Sequence, residues 1–187
     1  LYVLGGESNE NGALSTVEAF DSRTGAWSLV APMLTGRCSL AAASVGGRLY
    51  AIGGHTYSGT VEAFDPQTGT WTAAAPMPTP RREMGAAVVG GKIYVIGGFC
   101  NHVGRLATVE VYDPATNSWA TAAPMPTARD CLSVAALGGM VYAAGGDSSG
   151  PAVSTVEAYD PQTNTWASVA PMSAPRQSFG LAEVRGK

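Results

Sequence analysis

Lysine is almost missing, with two residues among 187. The basic total is 11 against 14 acidic residues, a net charge of −3, with no basic run. That argues against a nucleic-acid partner held by phosphate neutralisation. No apolar stretch approaches the roughly 20 residues of a membrane-spanning helix, so no membrane partner is expected. Cys38, Cys100 and Cys131 are odd in number and form no CxxC pair. They argue against a disulfide framework and for a reducing, cytoplasmic setting. His55 and His102 supply too few ligands for a metal centre, and no cofactor is expected. There is no Gly-x-Ser-x-Gly elbow and no phosphate-binding loop. Cys100 has no evident base beside it, so no catalytic residue is assigned and a non-enzyme is expected.

Turn formers are abundant instead: 24 glycines and 12 prolines in a chain that is 45% hydrophobic. A packed core broken by many turns follows, which excludes a helical bundle. The turn formers recur in register. Double glycines after an apolar run stand at Gly5-Gly6, Gly53-Gly54, Gly97-Gly98 and Gly145-Gly146, spaced 48, 44 and 48 residues apart. Thr-Val-Glu ends at Glu18, Glu62, Glu110 and Glu157, and Trp27, Trp71, Trp119 and Trp166 follow. Pro-Met closes on Met33, Met77, Met125 and Met172, each trailed by Arg37, Arg81, Arg129 or Arg176. The chain is four copies of one unit.

Each unit reads as four short strands without a helix. In the second, Leu49–Ile52 runs into Gly53-Gly54 and a polar loop; Thr60–Phe64 and Thr70–Ala74 flank the turn Asp65-Pro66-Gln67-Thr68-Gly69. Pro fits the second turn position there, and Gly fits a left-handed residue before the next strand. Asn117 and Asn164 occupy that last slot elsewhere. Met84–Val89 is small and apolar on both faces, as in a strand covered on both sides. Gly90-Gly91 then turns the chain into Ile93–Ile96 as a two-residue hairpin.

One such sheet cannot cover both its faces, so neighbours must stack on it around an axis, the arrangement of a β-propeller. Apolar–Gly-Gly, Val-Glu-x-Tyr/Phe-Asp-Pro, Trp, Pro-Met and Arg together resemble the Kelch repeat, and the resemblance is closest to BTB–Kelch (Kelch-like) proteins. It covers all 187 residues. The expected fold is therefore all-β: a Kelch-type propeller of four repeats with four-stranded antiparallel blades. It is either a closed four-bladed ring or a segment of a larger, six-bladed propeller. Residues 1–187 form one propeller domain in this reading. The chain begins on the second strand of a blade and ends on the first, so the C-terminal strand is expected to complete the blade begun at the N-terminus.

Residues identical in all copies are expected to build blades. The Arg and Glu sets pair between neighbouring repeats, since buried charges need partners; the rival reading is an arginine crown that binds an anion. Residues that differ between copies at loop positions are the candidates for recognition. They come from two loop sets expected to meet on one face. The stretch after each Gly-Gly gives Glu7 and Asn9; His55 and Tyr57; Phe99, Asn101, His102 and Arg105; Asp147 and Ser148. The residues after each repeated Arg give Ser39; Arg82 and Glu83; Asp130; Gln177 and Ser178. The resemblance implies that similar positions line a pocket for a peptide or protein loop. It also implies that the wider protein is the substrate-recognition part of a cullin-based ubiquitin ligase adaptor, through a BTB domain outside these residues. Two alternatives are a carbohydrate-active enzyme (mutarotase or galactose-oxidase-like) and an actin cross-linker.

Overall fold

The computed structural model describes residues 1–55, 59–184 and 186. Among them there are strands and turns but no helix, so none is long and apolar enough to cross a membrane. The first repeat holds β1 (Tyr2–Leu4), a small ribbon of β2 (Glu7–Ser8) and β3 (Gly12–Ala13), then β4 (Val17–Asp21) and β5 (Ala26–Val30). The second sheet is β6 (Ala41–Val45), β7 (Arg48–Ile52), β8 (Val61–Asp65) and β9 (Thr70–Ala74). The third begins with β10 (Gly85–Val89) and β11 (Lys92–Ile96). A ribbon of β12 (Phe99–Cys100) and β13 (Gly104–Arg105) follows, before β14 (Val109–Asp113) and β15 (Ser118–Ala122). The fourth is β16 (Ser133–Leu137), β17 (Met140–Ala144), β18 (Val156–Asp160) and β19 (Thr165–Val169).

Sheets two, three and four are four-stranded antiparallel meanders. Their innermost strands β6, β10 and β16 lie side by side around the axis. Small residues permit that approach: a Cβ on Gly85 would collide with Val134 of the next inner strand. Gly46-Gly47 and Gly90-Gly91 turn the inner hairpins with φ of 59° and 75°, and 58° and 76°, the left-handed pair that a two-residue hairpin requires. The first sheet has three strands, in the order β1-β4-β5. Residues 179–184 are not in a strand, and no closed ring is found among the described residues.

The gaps between sheets are the core. Tyr50, Ile52, Val61 and Met77 of the second sheet's repeat meet Ile93, Val95 and Tyr112 of the third. Tyr94, Ile96, Val109 and Met125 meet Val141, Ala143 and Tyr159 of the fourth in the same manner. The indole N–H groups of Trp71, Trp119 and Trp166 cross each gap to the carbonyls of Ala31, Ala75 and Ala123 at 2.8–2.9 Å. The outer part of each gap is thus filled by a ring and fastened by a hydrogen bond.

Candidate functional site

The repeated charges are structural. Arg37, Arg81 and Arg129 are fully buried. Each pairs with the glutamate of the following repeat: Glu62 at 2.6 Å, Glu110 at 3.0 Å and Glu157 at 2.7 Å. Arg37 also donates to the carbonyls of Gly53 and Thr60, and Arg129 to those of Gly145 and Thr155. The second carboxylate oxygen accepts from the preceding repeat: from the Leu34 N–H at Glu62, and from the Thr79 and Thr127 hydroxyls at Glu110 and Glu157. With the guanidinium groups sealed from solvent and every facing carboxylate engaged, these three arginines brace blades and offer no crown to an anion. Burial lowers the pKa of Arg81 and Arg129, and the facing glutamates oppose that shift. The fourth set is split between the chain's ends, where Glu18 and Arg176 are both exposed.

The variable residues gather at the axial end opposite the Gly-Gly hairpins. The strand register places them there, because Ala41 lies across from Ile52 and Gly85 across from Ile96. The two loop sets join by backbone pairs. Arg82 and Phe99 exchange N–H···O bonds of 3.1 and 2.8 Å; Asp130 and Asp147 do so at 3.1 and 2.9 Å. The His55 N–H donates to the Cys38 carbonyl at 2.9 Å. The stretches after two of the double glycines are short ribbons rather than plain loops, so Glu7, Phe99 and Arg105 stand on paired backbone.

A second chain of bonds runs around the axis. The Glu83 N–H donates to the Ser39 carbonyl, Cys131 to Glu83, and Ser178 to Cys131, at 3.0, 2.9 and 2.8 Å. All four residues have positive φ, between 50° and 58°, although none is glycine. Strain repeated at one position in every copy marks this rim as a place where the backbone is held against its preference. Nothing in the sequence signals it, since glycine is absent from all four positions.

Side chains on the rim form two charged groups. The Arg82 guanidinium sits 5.1 Å from the Phe99 ring centre and pairs with Glu83. Arg105 bridges Asp147 at 2.7 Å and Asp130 at 3.4 Å. Burial raises the Asp130 pKa, against the pull of Arg105. The Asp147 pKa is lowered, first by the Gly150 N–H on its carboxylate, with Arg105 adding to the effect. Burial likewise raises the Cys131 thiol. Carboxylate oxygens of Glu83 and Asp130 and the Cys131 sulfur lie within 4.8 Å of one another. Those carboxylates already face the two arginines, so a cation there would have to displace guanidinium groups.

Glu7, Asn9, Ser39, His55, Asn101, His102, Gln177 and Ser178 are exposed, and Ser148 is half-buried. Tyr57 lies outside the described residues. An apolar cavity of about 210 Å³ is found away from this rim, on the free face of the fourth sheet. The fourth sheet, Met172 and the C-terminal Leu181, Ala182 and Glu183 line it, and none of the rim residues does.

A family model described as "Kelch motif" matches the chain four times, at residues 1–34, 36–78, 80–126 and 128–173. Kelch-like protein 8 of Caenorhabditis elegans is similar to it, 40% identical over 55 residues. That match covers 29% of this chain and 8% of the relative.

Proposed function

Because the chain belongs to the Kelch-repeat family, whose propellers serve protein interaction, we propose that its variable rim is a non-enzymatic receptor for a peptide or protein loop. One observation carries this. The residues that differ between copies (Arg82, Glu83, Phe99, Arg105, Asp130 and Asp147) are linked at one axial end, while the repeated ones lie in the gaps between sheets. A stiff scaffold with diverse polar groups at its rim suits recognition of a shaped partner. Arg82 and Phe99 are the anchors, a cation stacked on a ring that together present a planar, partly desolvated surface. Around them the paired charges favour a ligand carrying both signs over a simple anion.

By resemblance to Kelch-like proteins, the wider protein is a cytoplasmic substrate receptor that reaches a cullin-based ubiquitin ligase through a BTB domain outside these residues. The test of the rim is direct. Peptides selected from a displayed library against the chain are measured against an Arg82→Ala/Arg105→Ala variant. The expected result is at least tenfold weaker binding by a variant that still melts cooperatively. Equal affinity would remove the rim as the site.

A further inference from the structure

The gap between the second and third sheets is not filled to its edge. Ile52 and Val61 meet Ile93 and Val95 in its dry part. Towards the inner hairpins, at the end away from the rim, it opens into a cleft of two lobes. A polar lobe of about 200 Å³ is lined by Thr72 and Ala73 of β9 and by Tyr112 and Asn117 of the third repeat. A more open, apolar lobe of about 400 Å³ is lined by Val45, Gly46, Gly91 and Ala115. Arg48, Tyr50 and Pro114 line both. Among the described residues no carboxylate lines either lobe.

Space and charge here come from residues that differ between copies. Ala63 lies across from Tyr50 and Thr72 in the second sheet. Its counterpart in the third is Val111, across from Tyr94 and Ala120, and Val111 packs into the next gap. This gap therefore gains room and a hydroxyl where the next one holds methyl groups. Lys92 stands at the position of Arg48, a cation without the guanidinium fork.

The donors of the cleft are poised rather than spent. Arg48 Nη2 donates to Asp65 at 3.2 Å, in a pair whose arginine is 51% exposed. Asp65 also accepts the Gln67 N–H at 2.9 Å, so the weakly held guanidinium can turn inward without stranding it. Burial raises the pKa of both Tyr50 and Tyr112, and the Arg48 charge opposes the rise at each, so that charge already reaches both phenols. The Asn117 side-chain oxygen accepts the Tyr112 hydroxyl and the Ala75 N–H, which leaves its amide N–H groups as its contribution to the polar lobe.

We propose that this cleft binds a small amphipathic carboxylate, of the class of a single-ring aromatic acid. The acid group meets the Arg48 fork, whose planar geometry matches a carboxylate, with the Tyr50 hydroxyl and the Asn117 amide beside it. The apolar body lies on Val45, Pro114 and Ala115. An apolar cavity of about 150 Å³ accommodates benzene, so the two lobes have room for one ring and its acid. Inorganic phosphate would leave the apolar lobe empty, which favours the organic acid. The site is separate from the rim and does not rest on the peptide reading.

The probe is benzoate, titrated into the whole chain and followed by NMR of the tyrosine rings and side-chain amides. Saturable shifts are expected at Tyr50, Tyr112 and Asn117, with Phe99 and Asp147 unmoved. Benzamide has the shape without the charge, and inorganic phosphate the charge without the body; each should bind about tenfold more weakly or worse. Arg48→Gln removes the charge, and Ala63→Val fills the space with the residue that the third sheet carries there. Each variant should still melt cooperatively and should weaken benzoate binding about tenfold or more. The proposal is overturned by the absence of saturable shifts with benzoate, or by shifts at the rim alone. It is equally overturned if benzamide or phosphate binds as tightly as benzoate, or if either folded variant binds benzoate undiminished.

Discussion

Arg37, Arg81 and Arg129 are taken wholly out of water, and the Nε of each has no acceptor among the described residues. The arrangement is therefore stable only while the glutamate of the next repeat stays in place. Removing one partner of a buried pair costs about 3–5 kcal/mol, because the remaining charge is left without compensation. Glu110→Gln should lower unfolding free energy by about 3 kcal/mol in urea titrations. Lys92→Ala, which breaks an exposed pair with Asp113, should change it by less than about 1 kcal/mol. Equal effects would contradict the bracing role. Asp130 and Asp147 make an opposite prediction pair. Burial raises Asp130, so its folded pKa exceeds the unfolded one, and protonation favours the folded state as pH falls through the raised value. Asp147 is lowered by the Gly150 N–H and by Arg105, so its contribution is present above the unfolded value and lost as pH falls through the depressed one. Carboxyl-carbon NMR titration should show Asp130 protonating first and Asp147 well after it. The reverse order would contradict the burial of Asp130.

The elements were legible where local chemistry decides them. The turn after Asp113-Pro114 needs a left-handed residue, and Asn117 provides it with φ 50°. At Gly53, marked by the repeat, an added Cβ would lie 2.6 Å from the Arg81 carbonyl oxygen. What Asn117 does next was not legible, because one of its two partners belongs to the preceding sheet's repeat. Its side-chain oxygen accepts the Tyr112 hydroxyl and the Ala75 N–H, 42 residues away in sequence. Asn164 repeats this with Tyr159 and Ala123. Asn117→Gly keeps the turn and removes the acceptor, so it should cost about 1 kcal/mol. Asn117→Ala adds left-handed strain of roughly 1–2 kcal/mol. Unfolding titrations of the two variants separate these effects, and identical losses would deny the strain. The rim was half legible. Departures from the repeat picked out Arg82, Phe99, Arg105, Asp130 and Asp147, but the left-handed series through Ser39, Glu83, Cys131 and Ser178 follows from convergence around the axis and has no local signature.

At the scale of the whole molecule, four near-identical units produce two kinds of surface. Repetition makes the three internal gaps dry and interchangeable, so the shared side chains that line them are committed to Arg–Glu, Trp–carbonyl and aromatic contacts. Variation survives where the chain leaves the sheets, and it concentrates at one axial end. The opposite end carries the glycine hairpins Gly46-Gly47, Gly90-Gly91 and Gly138-Gly139, which have few groups with which to discriminate a partner. The relation between these ends is the core of the functional reading. The measurement that tests it most directly is amide NMR of the chain titrated with a library-selected peptide. Shifts are predicted at Ser39, Glu83, Phe99, Asp130 and Asp147, with the hairpins silent. Shifts confined to the hairpins, or to the outer strands β5, β9, β15 and β19, would contradict it.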